Sequence, residues 1–480
     1  MRLPVHKTKI VCTVGPASRS LTTIEDMIQA GMNVARFNFS HGNLAQHAQD
    51  IARVRLAAAK TKRIVGTIID LPGVKMRIGK LKAEPVVLKK GRTVTLTTRN
   101  VLGTDTLIPV DYKPLVKSAA KGGVIYLNDG FIQLKVEKIS GSDIACKIVV
   151  GGPLRSHKGL NLPGAKLFVS AITKTDLKFI DFGLKHGVTT FGISFVEKAS
   201  DIIKVREFAK RKGKEVFLVA KIERREAIEN FDEILKVADA IMVARGDLGL
   251  EIPTEEVPII QKVLIRKANL AGRPVITATQ MLGSMTQNLR PTRAEVNDVA
   301  NAILDGTDAI MLSEETAAGE YPVEAVRMMA RIAVSTEQLS NNGRLSKEIR
   351  EQIRGTDRQN KLTVPDVISL NAVRTVEKLN ARYILTPTST GRTAQLVCRL
   401  KPRCWVLAFS MHKRVCEFLS FSYGVYPFSV ANRAQSRPEA ALRRVKAANL
   451  VEKGDAVVIT ERRFSGRPGG TDSLHVITID

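Results

Sequence analysis

The stretch from residue 216 to residue 250 carries residues suited to handling phosphate. Lys221 and Glu223 follow an apolar run at 216–220, and Asp247 follows a second run at 240–244. An amphipathic stretch separates the two runs, which predicts strand, helix, strand and brings both strand ends to the same edge. Glu223 and Asp247 could then converge on one hard cation, with the Lys221 ammonium beside them.

Polar residues also end other predicted strands. In ARFNFSHG (35–42), strand alternation sends Arg36, Asn38 and Ser40 to one face. The other strand-end polar residues are Asp70, Thr277, Thr279, Ser313 and Glu314. Any one of them could be structural, but polar groups on so many strand ends together favour an active site.

Eight short apolar strands, each followed by a helical pattern, would position these residues. They lie at 9–14, 34–39, 63–70, 188–195, 215–222, 239–244, 274–279 and 308–313. This spacing predicts an α/β chain built on a closed (β/α)8 TIM barrel, formed by residues 1–70 and 169–342, with its site on the carboxyl face.

Residues 71–168 interrupt the barrel rhythm with period-two alternation and a hairpin signal at Asn128-Asp129-Gly130. This predicts an inserted β domain. Its connections, Pro72-Gly73 and residues 158–164, contain Pro and Gly and could act as hinges, so a mobile lid over the barrel mouth is expected.

Beyond a charged helix and linker at 343–359, alternating helical and β patterns predict a C-terminal α/β domain over residues 343–480. Its TSTGRT loop could offer backbone amides and a guanidinium to the phosphate of an effector. The residues of that loop are Thr388, Ser389, Thr390, Gly391, Arg392 and Thr393. A Gly-rich loop at 465–472 could fold over the same ligand.

The formal net charge of +27 raises the question of whether the chain binds nucleic acid. Residues 169–340 do not share the excess, since they hold 23 basic and 25 acidic residues. Elsewhere the excess basic residues are interspersed with acidic and apolar ones, and no aromatic platform accompanies them. This favours a basic surface that attracts anions over specific nucleic-acid binding.

No run reaches the length of a membrane span, and the N-terminus lacks the apolar core of a signal peptide, so the cytoplasm is the expected location. The five cysteines lack Cys-x-x-Cys spacing, and reduced thiols are expected.

Long motifs in the right order give the chain a close resemblance to the pyruvate kinase family. They include TKIVCTVGPAS, ARFNFSHG, KGLNLPG, IMVARGDLGLEIP, ITATQML and PTRAEVNDVANAILDGTDAIMLSEETAAGEYP. The resemblance covers nearly the whole chain. It implies the same three-part architecture, with the insert as a small β-barrel lid, and assembly as a homotetramer.

The resemblance also implies an activity: transfer of phosphate from phosphoenolpyruvate to ADP, giving pyruvate and ATP. Lys221 and Arg36 would hold the phosphoryl group, and Thr279 would orient the water that protonates the enolate. Glu223 and Asp247 would hold Mg²⁺, with Mn²⁺ as an alternative.

Three further positions take roles from the resemblance. Amides of the Gly246-Asp247 turn would bind the substrate carboxylate, while His41 and Arg77 match the nucleotide side.

One departure from the family pattern concerns potassium. Many members read Asp-Thr-Lys-Gly-Pro-Glu-Ile-Arg where this chain reads DLPGVKMR (70–77), so Lys75 stands in place of a glutamate. A fixed ammonium could supply the charge of a bound monovalent cation, and activity without potassium is expected. The residues of this cation region are Asn38, Ser40, Asp70, Leu71 and Lys75.

A second departure is Arg224, which follows Lys-Ile-Glu where asparagine is commonest and could alter the surroundings of the metal site.

Two other functions compete with the kinase interpretation. A barrel lyase could bind Mg²⁺ and a pyruvate enolate through two carboxylates, but it would not need Lys221 or the lid. A basic RNA-associated protein on a barrel that has lost its activity is favoured by net charge alone.

Overall fold

The computed structural model describes residues 3–168, 170–339, 349–351, 353, 362–432, 434–463 and 470–480. Its strands in chain order are β1 (Lys9–Thr13), β2 (Val34–Asn38), β3 (Gly66–Asp70), β4 (Val86–Leu88), β5 (Thr93–Thr97), β6 (Leu107–Pro109), β7 (Val124–Leu127), β8 (Ile132–Ser140), β9 (Asp143–Val150), β10 (Gly152–Leu154), β11 (Leu160–Asn161), β12 (Thr190–Ile193), β13 (Phe217–Ile222), β14 (Ala240–Ala244), β15 (Val275–Ala278), β16 (Ala309–Leu312), β17 (Tyr383–Pro387), β18 (Trp405–Ser410), β19 (Val425–Ser429), β20 (Ala456–Glu461) and β21 (Ser473–Thr478).

The helices of the described residues connect these strands. In chain order they are α1 (Leu21–Ala30), α2 (Leu44–Lys60), α3 (Leu115–Ser118), α4 (Lys174–Lys185), α5 (Ala199–Arg211), α6 (Arg225–Glu229), α7 (Phe231–Val237), α8 (Arg245–Glu251), α9 (Val257–Ala271), α10 (Arg293–Leu304), α11 (Glu314–Ala317), α12 (Pro322–Leu339), α13 (Val364–Leu379), α14 (Arg392–Cys398), α15 (Lys413–Leu419) and α16 (Pro438–Ala447).

Eight parallel strands close into a barrel in the order β1-β16-β15-β14-β13-β12-β3-β2. Each of the eight predicted strand segments contains one of these strands, so the predicted TIM barrel is confirmed. The strands are apolar and almost wholly buried on both faces, as parallel strands covered by helices must be. Their carboxyl ends therefore share one rim, and the polar residues that follow them meet there.

The segment between β3 and β12 forms a separate β structure with its own apolar core. A six-stranded sheet runs β11-β7-β8-β9-β5-β6, and β4 pairs with β10. The predicted hairpin turn joins β7 to β8, with φ of 52° at Asn128, 54° at Asp129 and 89° at Gly130. Asn, Asp and Gly tolerate these left-handed angles, which explains the strength of the turn signal.

The C-terminal residues form an α/β sheet in the order β19-β18-β17-β20-β21, antiparallel only at β21. Asp308, at the base of the barrel, accepts hydrogen bonds from Lys401 Nζ at 2.9 Å and from the Tyr423 amide at 3.0 Å. Phe217 and Phe418 stack across the same boundary with ring centroids 4.0 Å apart. The linker expected at 343–359 lies mostly outside the described residues.

In the part of the chain that the structure describes, no helix has the length and apolar character needed to cross a bilayer. All five cysteines lie in that part and are free thiols, as expected. Burial raises the pKa of Cys398 to about 12, so this thiol stays protonated and unreactive at neutral pH.

Candidate active site

Lys221 is held in a fixed position by three neighbours on the barrel rim. Its Nζ lies 2.8 Å from Glu223 Oε1 and 3.0 Å from Asp70 Oδ1, and it donates to Ser194 Oγ at 2.7 Å. Burial opposes the charge, but the two carboxylates outweigh that effect and raise the pKa of Lys221. The side chain is therefore a permanent, immobile cation rather than a base.

Arg36 is the second buried cation, and Asp70 joins it to Lys221. Arg36 donates from Nε and Nη2 to Asp70 Oδ2 at 2.8 and 2.7 Å, while its Nη1 donates to Thr13 Oγ1 at 2.8 Å. Burial would raise the pKa of Asp70, but Lys221 and Arg36 together lower it. The site thus presents two cations that share one ionised carboxylate, which suits a phosphoryl group with several charged oxygens.

Sequence reasoning missed two residues of this cluster and undervalued a third. Ser194 Oγ donates to the Leu71 carbonyl at 2.7 Å while it accepts from Lys221, and Thr13 Oγ1 donates to the Leu312 carbonyl at 3.0 Å. Both residues stand at strand ends, the same signal that identified the other candidates. Asp70 was predicted at a strand end of the site and in the cation region, but the sequence did not indicate that it bridges Lys221 and Arg36.

Glu223 and Asp247 form the candidate metal centre. The second oxygen of Glu223, Oε2, accepts from the amide of Phe195 at 2.7 Å. Burial, and then the charge of Asp247, raise the pKa of Glu223 against the opposing effect of Lys221. The two carboxylates are therefore close enough to repel each other, and a divalent cation between them would relieve that repulsion.

The donor set fits a metal that also takes oxygens from substrate and water. Within the described residues, no three or more His, Cys, Asp or Glu side chains group around one point. The chain would thus supply two carboxylates, which is the usual arrangement for Mg²⁺ in phosphate chemistry.

Lys75 lies beside this pair rather than beside Asp70. Its Nζ is 3.6 Å from Asp247 Oδ1 and 3.9 Å from Asp129 Oδ1 in the hairpin of the insert. This placement differs from the neighbourhood of Asn38, Ser40 and Asp70 that the sequence led us to expect. The reason is that both oxygens of Asp70 are already occupied by Lys221 and Arg36.

The other members of the expected cation region contribute mainly backbone structure. Asn38 lies opposite Asp70 in the β2–β3 pairing, and Asn38 Oδ1 accepts from the Ser40 amide at 3.2 Å. Leu71 is buried and offers its carbonyl to Ser194.

Thr279 lies at the rim in a strained conformation. Its φ is 68°, and its hydroxyl accepts from the Gly246 amide at 2.8 Å and donates to the Ala278 carbonyl at 2.6 Å. Arg245, to which no role was assigned from the sequence, donates to the Thr279 carbonyl at 2.7 Å and to Asp298 at 2.7 Å. Left-handed angles at a β-branched residue are costly and concentrate at functional sites. The Gly246 amide, expected to bind a carboxylate, is engaged by Thr279 here.

His41 lies after β2 on the rim, and Arg77 lies in the first part of the insert. Burial, followed by the charges of Arg77, Lys75 and Arg36, lowers the pKa of His41. Arg77 Nη1 donates to the carbonyl of His157 in the insert at 2.9 Å. Three cations therefore act on His41, and this basic region would attract a polyphosphate.

The TSTGRT loop borders a cavity of about 760 Å³ in the C-terminal sheet region. Thr388, Ser389, Thr390 and Thr393 line it, together with other residues that include Arg437, Arg462 and Thr471. Most of the Gly-rich loop at 465–472 lies outside the described residues.

Within that loop, Arg392 differs from its expected role. Its Nη1 donates to the Gly272 carbonyl at 2.7 Å, and its Nη2 donates to the Ala271 carbonyl at 3.0 Å. Burial lowers its pKa to about 10. The guanidinium is therefore engaged by the carbonyl end of the barrel helix α9, a favourable place for a cation. The cavity instead presents the cations Arg437 and Arg462.

Comparison with known proteins places the whole chain in one family. The family description "Pyruvate kinase, barrel domain" matches residues 5–326, and "Pyruvate kinase, alpha/beta domain" matches residues 366–477. A pyruvate kinase of Thermococcus litoralis is 50% identical over 479 residues and covers 100% of both chains.

Two further similarities agree with that result. A pyruvate kinase of Geobacillus stearothermophilus is 42% identical over 98% of this chain and 81% of its own length. A crystal structure of a pyruvate kinase from Cryptosporidium parvum superposes with a TM-score of 0.92 at 34% identity, covering 99% of this chain and 97% of that one.

Proposed function

The chain belongs to the pyruvate kinase family, and from that membership we propose that it transfers the phosphoryl group of phosphoenolpyruvate to ADP through Lys221, Arg36 and Thr279. Phosphotransferase activity follows from the family, and the lyase and RNA-associated alternatives are set aside. The observation that carries the residue assignment is the joining of two buried cations by Asp70. The test is formation of pyruvate and ATP from phosphoenolpyruvate, ADP and Mg²⁺.

Lys221 and Arg36 act on the phosphoryl group as it moves from the enol oxygen to the terminal phosphate of ADP. Both cations are already desolvated and held by hydrogen bonds, so they need no reorganisation when charge shifts among the phosphoryl oxygens. Mg²⁺, held by Glu223 and Asp247, supplies further charge neutralisation when it is bound. His41 and Arg77 hold the nucleotide in the basic region beside the insert.

Thr279 acts after the phosphoryl group has left, when the enolate must gain a proton on its methylene carbon. The hydroxyl is too weak an acid to supply that proton alone, so it orients a water molecule. Arg245, which donates to the Thr279 carbonyl, sets its position, and before substrate binds the Gly246 amide donates to its hydroxyl. That same Gly246-Asp247 turn receives the substrate carboxylate when Thr279 releases the amide.

The proposed domain division is a barrel of residues 1–70 and 169–342, an inserted β-barrel lid of residues 71–168 and a regulatory domain of residues 343–480. Support for the lid comes from its hairpin. A Cβ at Gly130 would lie 2.7 Å from Leu250 Cδ2, so the hairpin tip rests directly against α8, the helix that carries Asp247. The enzyme is further proposed to act in the cytoplasm as a homotetramer, which light scattering of the purified protein would test.

Lys75 is proposed to make potassium unnecessary. Its ammonium lies 3.6 Å from Asp247 and near enough to affect His41, so it brings one fixed positive charge to the region between metal and nucleotide. A bound potassium ion would bring the same charge. With both present, the two cations would repel each other.

We expect kcat in potassium chloride and in tetramethylammonium chloride to agree within about twofold. Lys75→Glu should gain several-fold activation by potassium because it replaces the charge with a cation ligand. Lys75→Met carries neither the positive charge nor a cation ligand, so it is the matched control. Its kcat should be the same in the two salts. Several-fold activation of the unaltered enzyme by potassium would contradict the proposal, whereas no turnover in either salt would contradict the kinase assignment itself.

The cavity beside TSTGRT is proposed to bind a phosphorylated effector. Hydroxyls of Thr388, Ser389 and Thr390 and the guanidinium groups of Arg437 and Arg462 line it, which is chemistry suited to phosphate. The two hydrogen bonds from Arg392 to the end of α9 connect the same loop to the barrel.

Two variants would separate binding of the effector from transmission of its effect to the barrel. Arg437→Ala is expected to raise the half-saturating concentration of an activating sugar phosphate or nucleotide about tenfold, because one charged hydrogen bond is lost. Arg392→Ala should leave binding within about twofold but reduce the activation, since coupling requires differential contacts between the sites. Binding is measured by calorimetry and activation by initial rates. If effector binding and activation are both unchanged in the two variants, the cavity has no regulatory role.

A further inference from the structure

Arg224 is a buried arginine immediately after the candidate metal ligand Glu223. Only 2% of its side chain is exposed. Its Nη1 donates to Glu197 Oε1 at 2.7 Å, and its Nη2 donates to Glu226 Oε1 at 2.9 Å and to the carbonyl of Ala165 at 3.0 Å. The planar guanidinium thus joins a side chain from the loop after β12, a side chain of α6 and the backbone of the insert's return connection.

A third glutamate completes the surroundings of Arg224. Glu251, the last residue of α8, is buried near the amide of Gly164, and burial raises its pKa to about 7. Its charge interacts with those of Arg224 and Glu226. Arg224 itself pairs with two carboxylates, those of Glu197 and Glu226, so its removal would leave these two negative charges beside each other without a counter-charge.

The elements that Arg224 connects are those that carry the metal carboxylates. Glu223 precedes it on the same strand end, and Asp247 lies on α8, the helix that Glu251 closes. Glu197 is two residues beyond Phe195, whose amide donates to Glu223 Oε2. Gly164 and Ala165 belong to the connection through which the insert rejoins the barrel. A lysine could not reach the same partners, because a single ammonium lacks the two-branched geometry of guanidinium.

We propose that Arg224 is a positioning residue that fixes the return connection of the insert to the two strand ends bearing Glu223 and Asp247. It thereby sets how the lid sits over the carboxylates when substrate binds. This inference rests on the proposed kinase function of the same site, and it concerns a residue that touches neither substrate nor reacting atoms.

The test compares Arg224→Gln and Arg224→Lys with the unaltered full-length enzyme. Both variants should raise the KM for phosphoenolpyruvate about tenfold, with kcat changed by less than about threefold, because the lid connection is no longer held in its binding position. Amide hydrogen exchange, followed by mass spectrometry, should accelerate about tenfold in peptides covering residues 160–168 and remain unchanged in the barrel strands. Arg225→Gln, an exposed neighbour, is the matched control and should behave as the unaltered enzyme.

Three outcomes would overturn the inference. The first is an unchanged KM and unchanged exchange at residues 160–168. The second is faster exchange throughout the barrel with no local excess, which would indicate a purely structural ion cluster. The third is full recovery of KM in Arg224→Lys, which would show that charge alone is needed. Arg224→Lys keeps the charge balance, so it serves if Arg224→Gln fails to fold. An unaltered enzyme without kinase activity would instead refute the proposed function.

Discussion

Lys221→Met is expected to lower kcat for phosphoryl transfer by about 10³-fold or more, with a much smaller effect on the affinity for ADP. The reason is the fixed position of Nζ between Asp70, Glu223 and Ser194, where its charge stabilises the phosphoryl group without any rearrangement. Methionine fills a similar volume but brings no charge. Stopped-flow measurement of a single turnover would isolate the chemical step from product release.

The same variant tests whether Lys221 acts on the phosphoryl group or on the proton. The rate at which the methyl hydrogens of pyruvate exchange with deuterated water, followed by NMR, should fall no more than about tenfold. The reason is that the variant retains Thr279, which is proposed to orient the water for proton transfer. Equal losses in both reactions would mean that Lys221 takes part in proton transfer. Lys214→Met, at an exposed position, is the matched control and should leave both rates unchanged. Circular dichroism would confirm that the variant folds, since Asp70 retains Arg36 as a partner.

Glu223→Gln is expected to weaken Mn²⁺ binding by about 10²-fold or more and to lower kcat/KM by about 10³-fold. The substitution keeps shape and a hydrogen-bond acceptor for the Phe195 amide, but it removes one of the two carboxylates. Electron paramagnetic resonance of free Mn²⁺ measures the first effect without reference to activity. Retention of Mn²⁺ affinity would show that the metal centre lies elsewhere.

The pH dependence of Mn²⁺ binding follows from the raised pKa of Glu223. Because this carboxyl protonates at a higher pH than an ordinary glutamate, its proton competes with the metal sooner on acidification. The affinity of the unaltered enzyme for Mn²⁺ should be full above the raised pKa of Glu223 and decrease as the pH falls through it. The Glu223→Gln variant should show no such step. Glu229→Gln, an exposed residue on α6, is the matched control and should reproduce the affinity and pH profile of the unaltered enzyme.

The barrel strands and the hairpin of the insert could be predicted because their signals are local. Apolar runs of four to six residues form parallel strands that are buried on both faces, inside the barrel and under the surrounding helices, and β13 and β14 follow directly from that pattern. Asn128, Asp129 and Gly130 define a turn through their tolerance of positive φ. Neither signal depends on what lies far away in the chain.

The arrangement of the site could be predicted only in part. Strand ends identified Arg36, Lys221, Glu223 and Thr279 as neighbours. They did not indicate that Asp70 bridges two of them, since that depends on the stagger of β3 against β2 and β12 in the closed barrel. Ser194 and Thr13 were missed for the same reason, because their partners are supplied by other strands.

The positions of Lys75 and Arg392 required the tertiary structure. Lys75 was expected beside Asp70, yet that carboxylate is saturated, and the ammonium lies beside Asp247 and Asp129 instead. Arg392 was expected to face a phosphate, yet its donors bind the end of a barrel helix about 120 residues earlier in the chain. Long flexible cations go to whichever unpaired acceptors the fold brings within reach.

Local patterns were enough to predict the order of strands and helices, the rim on which the chemistry takes place and the residue types available there. These follow from periodicity and strand direction, which act over a few residues at a time. Which carboxylate neutralises which cation is fixed in the folded barrel, because each pairing depends on distances of about 3 Å between segments far apart in the chain. Coulombic attraction and the cost of leaving a buried charge unpaired select among those pairings, and both act only after the barrel has closed.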